Sequence, residues 1–246
     1  MISKAKIKHI KALQVKKYRK EEQCFVVEGA KSVLELLHSD FEVIWLGATA
    51  DFLKGVPANV LKQVEGSEAG QQELEAAGSF QSNDGALAIA RMKPNEPISF
   101  APHEWVLVLD DIRDPGNLGT LIRTADGYGV NHIVASEETA DFYNPKVISA
   151  TMGSFCRVSL YYTRLQPYLT AARKPVYGTF LEGVDVHQIH FTGGGLIVIG
   201  NEANGISPAI EKVVTQKITI PRYGKAESLN AAMAAGIILD VIRSQK

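Results

Sequence analysis

The sequence predicts an α/β protein built on a mostly parallel sheet, and three observations predict it. From Val106 onward, short apolar runs alternate with helix-like stretches. The runs are continuous, as in strands covered on both faces, rather than alternating as in a half-exposed sheet. Three of them lead into turns rich in Gly, Asn or Pro, the position at which open α/β sheets bind ligands.

The chain has 246 residues, enough for one large domain or two small ones. Its 46% hydrophobic and 22% charged residues are ordinary for a globular protein. Apolar stretches stop short of the roughly 20 residues a membrane helix needs. The basic start, Met1 to Lys6, is not followed by an apolar core or a cleavage-like site, so a cytoplasmic protein is expected. Cys24 and Cys156 are far apart and lack neighbouring ligands, which argues for buried free thiols rather than a disulfide framework or a zinc site. His187 and His190 have metal-compatible spacing but no companion ligands, and no metal is expected.

The net charge of −1 hides an asymmetry. Residues 1–20 hold Lys4, Lys6, Lys8, Lys11, Lys16, Lys17, Arg19 and Lys20 and no acid. A basic segment on an acidic body reads as a phosphate-backbone contact or as a solvated helix face.

In chain order, Ile7, Ile10, Leu13 (or Gln14) and Tyr18 fall at near-helical spacing, predicting one helix with an apolar stripe. Residues 24–29 read as a strand and turn, 30–38 as a helix, 41–46 as a strand. Residues 61–64 and 86–90 read as further short strands around a helix near 70–77. Pro94, Pro97 and Pro102 then mark a linker over 93–104, dividing a unit at 1–92 from one at 105–246. In the second unit, strands are predicted at 106–109, 131–135, 157–162, 175–180, 196–199 and 217–220. Helices are predicted at 118–128, 145–155, 165–172, 208–213 and 229–243. Trp45 and Trp105 read as core or interface residues rather than base-stacking platforms.

Three segments carry the chemistry. In the first, Asp110 to Gly119 leave a strand and enter a helix with Asn117 as the expected N-cap and Arg123 one turn beyond Gly119. Clustered acids here could suggest a magnesium site, but nothing makes their oxygens converge. The second, Gly200-Asn-Glu202-Ala-Asn-Gly205-Ile206-Ser207-Pro208, puts a carboxylate at the tip of a glycine turn. The third runs from Ile220-Pro221 to Ser228-Leu229-Asn230, with Ser228 the expected cap of a last helix whose Ala/Gly run invites close approach of another backbone.

In order and spacing these segments resemble the signature motifs of the SpoU (TrmH-like) RNA 2′-O-ribose methyltransferases of the SPOUT superfamily, over about residues 105–246. Residues 1–92 resemble that family's L30e-like substrate-binding domain, most clearly at Phe25-Val-Val-Glu28-Gly29-Ala-Lys31. The resemblance implies a SPOUT-type α/β fold with a C-terminal trefoil knot, a homodimer, and S-adenosyl-L-methionine as cofactor. Residue readings alone would have favoured a Rossmann winding and no knot. A dinucleotide enzyme is disfavoured because no G-x-G-x-x-G follows the first strand.

Carried over residue by residue, the resemblance implies that Gly200, Ile220 and Leu229 hold the cofactor through their backbones, with Thr179 and Leu181 beside them. Arg123 acts at the ribose 2′-hydroxyl with Asn117 orienting it, and Glu202, Ser228 and Asn230 line the site. Because a guanidinium stays protonated, Arg123 is read as a clamp on phosphate and developing alkoxide, with proton removal left to Glu202, water or substrate. Lys4, Lys8, Lys11 and Arg19 are expected RNA contacts along with Arg123. Three departures stand out: Ala232 where the family usually has Ser, Arg222 where an apolar residue follows Ile-Pro, and Asn83-Asp84-Gly85 in place of Pro-Gln-Gly. The expected activity is 2′-O-methylation of a structured RNA, ribosomal before transfer RNA. A catalytically silent RNA-binding protein is the alternative.

Overall fold

A computed structural model of the chain describes residues 1–245. In chain order its elements are α1 (Lys4–Leu13), α2 (Lys16–Glu22), β1 (Cys24–Glu28), α3 (Ala30–Leu37), β2 (Val43–Ala48), α4 (Ala50–Lys54), α5 (Ala58–Leu61), β3 (Gly66–Glu68), α6 (Gln71–Ala77) and β4 (Ala86–Arg91). Then follow β5 (Trp105–Leu109), α7 (Pro115–Gly127), β6 (His132–Ala135), α8 (Pro145–Thr151), β7 (Ser159–Tyr162), α9 (Leu165–Ala172) and β8 (Val176–Asp185). The chain closes with β9 (Gly195–Ile199), α10 (Pro208–Glu211), β10 (Gln216–Thr219) and α11 (Ala231–Ser244). Residues 92–104 hold no helix or strand. No helix among the described residues is long and apolar enough to cross a membrane.

Two compact units result, and one is discontinuous. The first takes Met1–Pro94 together with Asp141–Cys156; the second takes Asn95–Ala140 and Arg157–Lys246.

The first unit is a four-stranded sheet in the order β1-β4-β2-β3, antiparallel except for β2 against β3. Its core joins Ile10, Leu13, Val26, Trp45, Leu74 and Ile89. The single helix expected near the N-terminus is two, broken at Gln14 and Val15. Arg19 explains the break. Its guanidinium donates to the carbonyls of Leu13 (3.0 Å) and Gln14 (2.8 Å), satisfying acceptors that the end of α1 leaves open. Tyr18, expected in the apolar stripe, is 41% exposed on α2. The strand expected at 61–64 is the end of α5 and a turn, because Pro57 starts a helical turn; the strand itself is Gly66–Glu68. Buried Glu28 accepts from the backbone N–H groups of Ser79 and Phe80 and from the Ser79 hydroxyl, fixing the loop after α6.

The excursion 141–156 completes this unit. Phe155 meets Phe25 edge-on at 6.0 Å and Phe41 at 5.8 Å between ring centroids, and Tyr143 packs on Phe25 at 4.7 Å. Burial pushes the Tyr143 phenol up to about 12. The helix predicted to reach 155 stops at Thr151: Met152 turns left-handed and Gly153 (φ +96°) lies so close to Glu35 that a Cβ would sit 2.7 Å from its Cγ. Cys24 is buried, as expected, with burial pushing its thiol up; Cys156 is only half-buried, and neither forms a disulfide.

In the second unit six parallel strands run in the order β10-β8-β9-β5-β6-β7. Val106, Val108, Val134, Val176, Leu196 and Val198 face one layer with Leu165, Leu169, Ile206 and Ile210. The residues between them are equally buried and serve the other face, where α7 packs on α11. This double burial is why the strands read as unbroken apolar runs. Trp105 is core, in a cluster with Tyr177 and Phe191. β8 is longer than predicted, and its pairing with β10 jumps from Gly178↔Lys217 to Val184↔Ile218. Residues 179–183 therefore leave the ladder.

Arg19 is 1% exposed and also pairs with Asp141 at 2.7 Å, so it is a structural residue rather than an RNA contact. Lys4, Lys8 and Lys11 are exposed on one face of α1. Asp141→Ala, which strands a buried guanidinium, should lower the unfolding free energy by about 3 kcal/mol. Lys8→Ala should change it by no more than about 0.5 kcal/mol. Urea unfolding followed by far-UV circular dichroism checks both; equal, small shifts would remove the structural role assigned to Arg19.

Candidate active site

Helix α7 begins one turn earlier than the sequence predicts. Asp114, not Asn117, is its N-cap: the Asp114 carboxylate accepts from the backbone N–H of Asn117 at 2.8 Å, and Pro115 takes the first helical position. Asn117 thus keeps its carboxamide for other partners. Its Nδ2 donates to Glu202 Oε1 at 2.6 Å, and its Oδ1 accepts from Asn230 Nδ2 at 2.9 Å.

Asn230 in turn replaces Ser228 as the cap of α11. Its Oδ1 accepts from the backbone N–H groups of Ala232 (2.9 Å) and Met233 (3.4 Å). Capping sets the polarity of the whole chain of bonds. With the Asn230 oxygen committed to the helix, only its NH2 remains for Asn117, and the Asn117 NH2 must then face the carboxylate.

Glu202 is held by its own loop. Asn201 Oδ1 accepts from the N–H groups of Ala203 (2.9 Å) and Asn204 (3.1 Å), and Asn201 and Gly205 exchange two backbone bonds. Asn201 Nδ2 donates to the carbonyl of Asp111 at 2.8 Å, tying this loop to the one that precedes α7. Asp110 accepts from the Ser207 N–H at 2.7 Å and repeats the tie. Gly200 is obligatory here, since a Cβ would sit 2.3 Å from the Gly205 carbonyl carbon.

Beside this network lies a cavity of about 700 Å³ at the carboxyl ends of β8, β9 and β10. Thr179 and Leu181 line it from the segment that leaves the ladder, Gly200 and Glu202 from the second loop, and Ile220, Ser228 and Leu229 from the third. Ile199, Ile206, Ile218 and Ile238 supply apolar wall. Among the described residues, the backbone groups of Gly200, Ile220 and Leu229 have no hydrogen-bond partner in the chain.

Asn117, Glu202 and Asn230 are therefore brought together, with Ser228 in the cavity wall. Arg123 is not with them. It is exposed on α7, does not line the cavity, and makes no hydrogen bond or ion pair among the described residues. The side-chain partners of Asn117 among the described residues are Glu202 and Asn230, not Arg123. Sequence reasoning missed Asp114, Asn201 and Asp110. The signal for Asp114 was present, because an Asp-Pro pair at a helix start is itself a cap pattern. Among the described residues no group of three or more His, Cys, Asp or Glu side chains could hold a metal ion.

Layer order, the position of the cavity and a polar network drawn from three loops define an α/β enzyme of the SPOUT methyltransferase fold. Residues 104–240 match the SpoU rRNA Methylase family and residues 4–88 the MRM3-like substrate binding domain, and the chain belongs to the SpoU rRNA methylase family. A relative from Bacillus subtilis (strain 168), the 23S rRNA (guanosine(2553)-2′-O)-methyltransferase RlmP, is 31% identical over 97% of this chain and 96% of its own. Among solved structures, a TrmH-family protein from Porphyromonas gingivalis superimposes with a TM-score of 0.88 and 32% identity over the whole of both chains. An AdoMet-bound rRNA methyltransferase from Sinorhizobium meliloti does so with a TM-score of 0.86 and 28% identity, over 99% of this chain and 96% of that one.

Gly200→Ala should cost about 2 kcal/mol, because the added methyl must displace the backbone of Gly205 and Ile206. At Gly224 a Cβ meets nothing within 4 Å, so Gly224→Ala should be near neutral. Thermal melts of the two variants give the comparison, and equal melting temperatures would contradict the close approach at Gly200.

Proposed function

We propose that this chain transfers the methyl group of S-adenosyl-L-methionine to a ribose 2′-hydroxyl of ribosomal RNA. The observation that carries the reading is the Asn117–Glu202–Asn230 network beside the glycine-edged cavity. The 23S rRNA substrate named for the Bacillus relative, matched along the whole chain, favours ribosomal over transfer RNA.

The cavity fits the cofactor. Its apolar wall suits an adenine ring, while the unpartnered backbone groups of Gly200, Ile220 and Leu229 can read the ring's edge and the amino-acid portion. When bound, S-adenosyl-L-methionine supplies an electrophilic methyl on a sulfonium sulfur. The remaining work belongs to the chain. Asn117 holds Oε1 of Glu202, leaving Oε2 without a hydrogen bond among the described residues and able to take the 2′-hydroxyl proton. Holding the nucleotide in line with the methyl supplies much of the rate.

Arg123 completes the site from a second copy of the chain. Its absence from the cavity lining, on the exposed face of α7, favours a role at another subunit's site. The exposed face of α7 is nearly smooth, with Gly116, Thr120 and Gly127 around Arg123, and Met233 on neighbouring α11 is 60% exposed. Those features suit a symmetric dimer interface. There the guanidinium clamps the nucleotide phosphate and stabilises the developing alkoxide. The path from β10 through residues 220–230 into α11 is assigned to the threaded part of a C-terminal trefoil knot. The L30e-like unit, 1–92, presents Lys4, Lys8 and Lys11 to the RNA; the linker is 93–104 and the catalytic unit 105–246, less the excursion 141–156 that belongs to the first unit. The protein acts in the cytoplasm, on ribosomal RNA.

Ribosomal RNA from cells lacking this gene should lose one ribose methylation, seen as a new site of alkaline cleavage. An unchanged methylation map would refute the reading. Arg123→Lys keeps the charge but loses the planar fork, so turnover should fall about 100-fold while calorimetry finds S-adenosyl-L-methionine affinity unchanged. Arg123→Ala mixed with Asn230→Ala, each inactive alone, should recover about one quarter of full activity, since half the dimers are mixed and each carries one intact site. No recovery would place Arg123 within its own subunit's site.

A further inference from the structure

Between β10 and α11 the chain forms a loop whose ends both belong to the site. Ile220 and Arg222 line the cavity on one side, and Glu227, Ser228 and Leu229 on the other. Across the base, the Arg222 guanidinium donates to the Glu227 carbonyl at 2.8 Å. That bond closes a short projecting tip, Tyr223-Gly224-Lys225-Ala226, none of which lines the cavity. Tyr223 is 97% exposed, and Lys225 is exposed beside it.

A single exposed aromatic residue is unremarkable on most surfaces. Three features separate this one. The tip is braced by a side-chain bond to its own backbone rather than left as an open turn. It stands within two residues of cavity-lining positions at each end. And Tyr223 lies in sequence between Arg222 and Lys225, which combines an aromatic face for a base with positive charge for its phosphates.

We infer that Tyr223 is a positioning residue for the RNA, stacking on the base of the target nucleotide or of its immediate neighbour while Lys225 neutralises an adjacent phosphate. A ribose 2′-hydroxyl can reach a methyl donor at the cavity only if its nucleotide is drawn out of the surrounding RNA structure. A stacking surface at the mouth compensates the unpairing that this requires. The inference rests on the reading of the site as an RNA ribose methyltransferase.

The test uses the full-length protein, tritiated S-adenosyl-L-methionine and protein-free ribosomal RNA from cells lacking the gene. Tyr223→Ala should raise KM for RNA about tenfold or more, while S-adenosyl-L-methionine affinity by calorimetry and subunit assembly by sedimentation stay those of the unsubstituted protein. Tyr223→Phe and Tyr223→Trp, which keep a ring, should restore most of the loss. Lys225→Ala should instead flatten the dependence of RNA binding on salt, reducing the slope of log K against log salt by about one.

Several results would overturn the inference alone: an unchanged KM for Tyr223→Ala, a loss that Phe and Trp fail to rescue, or a loss tracking weakened cofactor binding. A change in subunit assembly would instead make the tip a protein contact. Absence of transfer by the unsubstituted protein would overturn this inference together with the function on which it rests.

Discussion

Asn117 can join Glu202 to Asn230 only because Asp114, three residues earlier, caps helix α7 in its place. Had the asparagine carried the cap, its oxygen would have been committed to backbone N–H groups and its bond to Asn230, which joins the third loop to the first, would have been lost. One carboxamide thus links segments more than eighty residues apart in sequence. Its polarity is imposed from the far end, where the Asn230 oxygen serves α11. A neutral relay of this kind orients a carboxylate without placing a formal charge beside it, so the carboxylate loses its freedom to swing.

The loops that carry these residues are stiffened in layers behind the site. Asp111 adopts a left-handed conformation (φ 61°), which costs a non-glycine residue of order 1 kcal/mol. Its N–H donates to Ser136 and its carbonyl accepts from Asn201. Strain at Asp111 therefore positions two neighbouring loops at once. Asp110 holds Ser207 from the same turn. The cavity is then bounded on one side by segments tied to β5 and β9. On the other lies residues 179–183, which leave the β8–β10 ladder where Gly183 runs against the backbone of Lys217 and Ile218.

Strand positions were legible because burial on both faces leaves an unmistakable signal: Val106–Leu109 and Leu196–Ile199 read as strands and are strands. Helix starts were less legible. Asn117 and Ser228 both have the chemistry of a cap, yet each has a competitor within three residues, Asp114 and Asn230, that wins on geometry available only once the loops are in place. The departure of 179–183 from its ladder has no composition signature at all. Nor does periodicity reveal that Asp141–Cys156 joins the first unit, because Val147 and Ile148 would look equally apolar in either core. The three segments were legible, and the bonds between them were not: Asn117 was expected beside Arg123 and is bonded to Glu202 and Asn230.

Charge shows most clearly how composition and location part company. Counted along residues 1–20, Arg19 is one more cation in a basic segment. In the structure its guanidinium closes the end of α1 through two carbonyls and reaches Asp141, and a lysine could not make that planar, multidentate set of bonds. The lysines around it make no such demand and stay in water, where a flexible, strongly hydrated ammonium suits a phosphate backbone that must be contacted and released. Arg123 reverses the case. It has the same fork and no partner within the described chain, on a helix face otherwise made small by Gly116, Thr120 and Gly127. A residue built for bidentate contacts, left without any on a surface flat enough for another backbone, argues for a partner that a single chain does not contain.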